Sequence, residues 1–176
     1  MGFAMSWLAV SGKSSEQVLQ ELELHRTGEV EEFSESVITA VQLPAWFLIV
    51  FNDFNPPMLT STRLMQLANE CKVVSCQVEE HVMYSKVACY EMGLDKWQII
   101  HDAQEGIYHL ETIGEMPNQF DEIFSVQRQE QDNAGGEDAD VDYFFDIPPM
   151  LAETITNFRH DQVPDLGVDA PFEVLV

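Results

Sequence analysis

Residues 72–90 read KVVSCQVEEHVMYSKVACY, and this long β-prone stretch decides the fold. Val74, Cys76, Val78, Glu80, Val82 and Tyr84 share one face; Ser75, Gln77, Glu79, His81 and Met83 share the other. An apolar side backed by a polar one belongs to a strand in a sheet covered on one side. Beyond it, Gly93-Leu94-Asp95 makes a turn and Trp97 to Asp102 returns. Glu105-Gly106 turns again, and Ile107 to Gly114 returns once more. The stretch therefore opens an antiparallel meander.

Upstream, Met5 to Val10 reads as a strand ending in Ser11-Gly12. A helix follows, capped by Ser14 or Ser15 with Gln17 available for a capping box, and with Val18, Leu19 and Leu22 facing inward. Arg26 to Glu35 is polar and acidic, hence a loop, and Val37 to Val41 is a short strand. Trp46 to Phe51 is apolar on both alternating faces, as a strand inside a sheet must be. Asn52 to Pro57 is a turn, and Pro57 starts a second helix that runs to about Glu70, with Leu64, Leu67 and Cys71 on one face.

Downstream, Asn118 caps a third helix carrying Phe120, Ile123, Phe124 and Gln127 at helical spacing. The acidic, Gly-containing stretch Gln129 to Asp142 is expected to be a mobile loop. Asp146, Pro148 and Pro149 open a fourth helix with Leu151, Ile155 and Phe158 inside, and Phe172 to Val176 forms an edge strand. The expectation is one α+β domain over residues 1–176: an antiparallel sheet with about four helices packed mostly on one face.

The charge limits the function. The chain has a formal net charge of −23 yet is 45% hydrophobic, with eleven Phe and three Trp, so it can bury a core behind a negative surface. A chain of this length buries roughly 70% of its unfolded surface. Against thirty-one acids stand only eight cations, Lys13, Lys72, Lys86, Lys96, Arg26, Arg63, Arg128 and Arg159, and none sits in a cluster. That excludes nucleic acid and anionic membranes as direct partners, since both need a cationic footprint. A basic protein fits the charge; so does a cation, or simple solubility.

Three cysteines, an odd number in apolar surroundings, fit a reduced chain, and no secretory leader is visible. The longest apolar run, Leu43 to Phe51, contains Pro44 and falls far short of the roughly 20 residues a span needs. A soluble, cytoplasmic protein is expected. Met1-Gly2-Phe3-Ala4-Met5-Ser6 fits an N-myristoylation pattern, but an acidic chain lacks the basic second signal that firm anchoring uses, so these residues are read as leading into the first strand.

No motif identifies a chemistry, and no cofactor is expected. Gly12-Lys13-Ser14 lacks the first glycine of a phosphate loop, whose place Trp7 takes. Asp138, Asp140 and Asp142 alternate beside Glu137 and offer oxygens to a hard cation, but Tyr143 and Pro149 stand where an EF-hand needs Gly and Glu. His101 and His109 flank a turn, and with His81, Glu79 and Glu111 could form a metal or acid–base cluster on the exposed sheet face. His101-Asp102 and His160-Asp161 are not dyads by adjacency on extended chain. Cys76 is an inert buried thiol. Glu80 shares an apolar face with Val78 and Val82, and a β-bulge at Glu79-Glu80 would turn it outward.

Two function classes remain. One is a non-enzymatic, inhibitor-type (immunity-like) protein that binds a basic protein partner through Glu137, Asp138, Asp140 and Asp142, the acids from Glu29 to Glu35, and Tyr143 and Phe144 as anchors. The other is an enzyme or a small-ligand or metal-binding protein built on the histidine cluster. The first is favoured, because no catalytic motif emerges.

Overall fold

The computed structural model describes residues 2–176. In chain order its elements are β1 (Ala4–Ser11), α1 (Ser15–Leu22), β2 (Arg26–Glu31), β3 (Ile38–Gln42), β4 (Phe47–Phe51), α2 (Ser61–Leu67) and β5 (Lys72–Glu79). Then come β6 (Tyr84–Glu91), β7 (Leu94–Asp102), β8 (Glu111–Gly114), α3 (Phe120–Ala134), α4 (Ile147–Thr156) and β9 (Phe172–Leu175). All nine strands join one antiparallel sheet in the order β2-β9-β3-β4-β1-β5-β6-β7-β8. The fold is α+β, with the meander running from β5 to β8.

The opening stretch is a hairpin rather than one bent strand. Glu79 pairs with Tyr84 and Lys72 with Glu91, and Met83 takes a left-handed φ of 52° to close the turn. Glu80 therefore lies in the turn, and no bulge is needed to explain it. On the next turn, Met92 and Gly93 both have positive φ, the two-residue connection that suits the right-handed twist of paired strands.

Helices cover both faces of the sheet. On one face Leu8, Val10, Phe47, Ile49, Phe51, Val73, Ala88 and Tyr90 pack against Val18, Leu19 and Leu22 of α1 and Leu64 and Leu67 of α2. On the other, Trp7, Leu48, Val50, Cys76, Val87 and Ile99 pack against Leu151 and Ala152 of α4, with Phe120 and Ile123 of α3 alongside. This two-and-two division replaces the expected gathering on one face. The cause is that Trp7 to Val10 of β1 and all of β4 are apolar on both alternations and must be covered on both sides. Where β5 to β8 run past α2, the polar alternation is real. Gln77, Lys86 and Asp102 are only half-buried there, and Glu111 is exposed.

The capping box forms as read: the Ser14 hydroxyl accepts the Gln17 N–H, and the Gln17 carboxamide accepts the Ser14 N–H. Several readings change: of the expected strand Ile107 to Gly114 only Glu111–Gly114 is β8, and Phe158 lies beyond the end of α4. The segment from Arg26 is not a loop but the edge strand β2, exposed along its length and held by pairing with β9. β9 is not an edge: it sits between β2 and β3. Pro57–Leu59 is a separate 3-10 turn, and α2 begins only at Ser61. α3 starts after Gln119, which makes no side-chain cap, so Asn118 is not its cap. α3 also continues through the first part of the expected acidic loop, to Ala134, because Gln127 and Gln131 are buried on its inner side.

Candidate functional site

Strand parity decides where the histidines go. Ile100 and Asp102 face the open side of the meander, so His101, between them, points to the opposite face and is fully buried. Its Nδ1 lies 2.7 Å from the His109 carbonyl oxygen and its Nε2 2.9 Å from Asp142 Oδ2. The His109 carbonyl can only accept, so Nδ1 donates that bond. Asp142 Oδ1 also accepts the Phe145 N–H at 3.0 Å, and His109 Nδ1 accepts the Asp102 N–H at 3.0 Å. The arrangement ties the chain before α4 to the sheet.

His81 is elsewhere, exposed in the hairpin turn, with Nδ1 2.6 Å from Glu79 Oε1. Glu111 lies on the open face, and Asp138 and Asp140 are exposed without joining Asp142 at His101. The proposed cluster splits in two: His101 meets His109, with ring centroids 6.3 Å apart, while His81 meets only Glu79 in the hairpin turn. Among the described residues no group of three or more His, Cys, Asp or Glu could hold a metal ion.

The anchor residues also change. Phe144 is buried among Tyr108 and Phe124, so it offers nothing to a partner, and Tyr143 is half-buried with its N–H donated to Gln131 Oε1. Glu137, Asp138 and Asp140 remain exposed. Lys13 of the apparent phosphate loop is already committed to Glu21 and to the Leu67 carbonyl. Burial pushes the Cys76 thiol far above its ordinary range and the Cys89 thiol up to about 11, which leaves neither a nucleophile at neutral pH. Met1 of the acylation pattern lies outside the described residues.

A cleft that sequence reading did not anticipate lies at the start of β1. It encloses about 350 Å³ between β1, the β2–β3 loop, β9 and the chain after α4. Met5, Phe158 and Phe172 line it as buried side chains. Phe3, Phe33 and Val163 also line it, yet they are 45%, 51% and 43% exposed. Glu35 and Asp161 supply carboxylates, and no Lys or Arg is among the lining residues.

His160 belongs to this wall. Its ring stacks on Trp7 at 5.6 Å and meets the edge of Phe3 at 5.2 Å. Nε2 lies 3.3 Å from Glu80 Oε1, while Glu80 Oε2 accepts the Phe3 N–H at 2.9 Å. Glu80, the odd acid of the apolar face, is thus the clasp between the hairpin turn, the N-terminal segment and His160. Burial holds the imidazole below its ordinary 6.5, against the opposing pull of the Glu80 carboxylate. Its Nδ1 and the Trp7 indole nitrogen are buried and find no hydrogen-bond partner among the described residues.

The surface charge is barely neutralised within the molecule. Among the described residues only Lys13, Arg26 and Arg159, of eight Lys and Arg, enter ion pairs with acids. Along α3 and the turn after it, Asp121, Glu122, Glu130, Asp132, Glu137 and Asp138 are exposed, with Arg128 the one cation in that stretch. No helix of the described residues is long and apolar enough to cross a membrane. No protein-family model matches the chain, and neither a curated protein nor a solved structure matches it significantly.

Proposed function

We propose that this chain is a non-enzymatic, inhibitor-type protein that binds a basic protein partner and is steered to it by charge. The observation that carries this reading is the surplus of exposed acids without internal counter-charges. Such a field speeds encounter with a cationic surface and repels anionic ones. The acids it presents are Glu137, Asp138 and Asp140 after α3 and, towards the opposite edge of the sheet, those from Glu29 to Glu35. Asp142 supports the first group from behind through His101 rather than touching a partner. A cytoplasmic setting fits this reading, which needs no cofactor.

The test is capture of partners from a lysate at low and high salt, followed by titration of the purified candidate. A single basic protein should bind stoichiometrically, with an affinity that falls steeply as salt rises. Affinity that does not change with salt, or a partner without a basic surface, would sink the reading.

A further inference from the structure

The cleft at the start of β1 has what the acidic surface lacks, a place for a partner side chain to be buried. We infer that it seats one large apolar or aromatic side chain of the basic partner, flanked by Lys or Arg. The inference rests on the charge-directed reading and goes beyond it by naming the residue class that anchors there.

Three observations converge. Phe3, Phe33 and Val163 come from distant parts of the chain, each is about half exposed, and all three line the same cleft. Isolated exposed apolar residues are ordinary, but convergent ones around a concave floor mark an interaction site. The volume of about 350 Å³ lies at the small end of ligand pockets and suits one bulky side chain. Finally, the chemistry of the lining is mixed in one direction only. Apolar walls meet Glu35, with Glu32 exposed three residues before it; Asp161 is held by Arg159, and no Lys or Arg is among the lining residues.

Charge also decides between occupants. A second copy would bring another −23 to the contact, so self-association through this face is opposed by repulsion. Asp161 already has Arg159 at 3.1 Å, but a neutral apolar segment would leave Glu35 and the neighbouring Glu32 unanswered. An anchor with cationic neighbours satisfies both features. It resembles the central hot spot of interfaces, where a buried aromatic supplies affinity and surrounding charges supply orientation. Burial keeps the His160 ring from adding a competing positive charge at neutral pH.

The experiment uses two capped peptides, Lys-Trp-Lys-Lys and Lys-Gly-Lys-Lys, titrated into the isotope-labelled full chain at low salt and followed by NMR. The Trp peptide should bind about tenfold more tightly, an increment on the scale of partly burying an aromatic side chain, with its shifts centred on Phe33, Val163 and Phe172. Phe33→Ser should abolish the difference between the peptides, and Glu35→Lys should weaken both. Val163→Lys, at another exposed position, repeats the test should Phe33→Ser disturb the loop. Equal binding, with shifts spread over acidic residues, overturns the cleft assignment and leaves the charge reading standing. Preferential binding of the Trp peptide at any other place also overturns it. If neither peptide binds at low salt, both readings fall.

Discussion

A buried imidazole with a hydrogen-bond partner at each nitrogen, as at His101, leaves those partners stranded when it is removed. His101→Leu would leave the Asp142 carboxylate, whose side chain is 8% exposed, without its ring partner. Loss of one member of such a pair costs about 3–5 kcal/mol, so denaturant unfolding should show a drop of that order. A loss below about 1 kcal/mol would mean that water replaces the ring. His160 makes a prediction of a different kind. Its folded pKa is depressed by burial despite Glu80 and Asp161, so below the ordinary 6.5 the unfolded chain binds the proton more readily. Stability is fully present above 6.5 and is lost as pH falls toward the folded value. The pH profile of His160→Phe should be flatter over that window, and coincident profiles would refute the assignment. The thiols offer a third check. Burial raises Cys71, Cys76 and Cys89, so a disulfide reagent should label none at neutral pH until the protein is unfolded.

Among the elements, the two hairpins of the meander differ in how well they can be read. Gly93 marks one turn in the sequence, but the turn is Met92-Gly93, and Leu94 and Asp95, expected within it, open β7. Met92 itself has φ 54° and is 67% exposed, so it carries backbone strain without a packing role. Met92→Asn should therefore raise stability by about 1 kcal/mol in thermal or denaturant unfolding, since Asn tolerates that conformation and suits the turn type. The other turn, Glu80 to Met83, holds no Gly, Pro, Asn or Asp, and its alternation continues that of both strands. Nothing local marks the reversal; the pairing of β5 with β6 and the clasp of Glu80 to Phe3 and His160 impose it. β2 carries no strand signal for a related reason: an edge strand held by its backbone bonds needs no apolar face. α3 extended further than its composition suggested because Gln131 is satisfied internally, by the carbonyls of Gly136 and Val141 and by the Tyr143 N–H.

For the whole molecule, the sheet order joins what the chain separates. β9 enters beside β3 and brings Phe172 to the cleft that Phe3, Phe33 and Val163 also line, a convergence that no local pattern in the sequence could display. Net charge, by contrast, was legible from composition, and it has consequences of opposite sign for folding and for binding. With −23 on the chain and few internal ion pairs, compaction brings like charges together, so the folded state is the more strained by repulsion. Raising ionic strength from about 0.01 M to about 1 M shortens the Debye length from roughly 30 to roughly 3 Å and relieves that repulsion. The melting temperature of the free protein should rise across the series. Affinity for a basic partner should fall across the same series, because the same screening weakens the steering field. The three ion-paired cations act in the other direction on stability, but surface pairs are worth only about 0–1 kcal/mol each. A melting temperature that falls with salt would mean that those pairs at Lys13, Arg26 and Arg159 outweigh the repulsion among the acids, and that the exposed carboxylates do not act as one field.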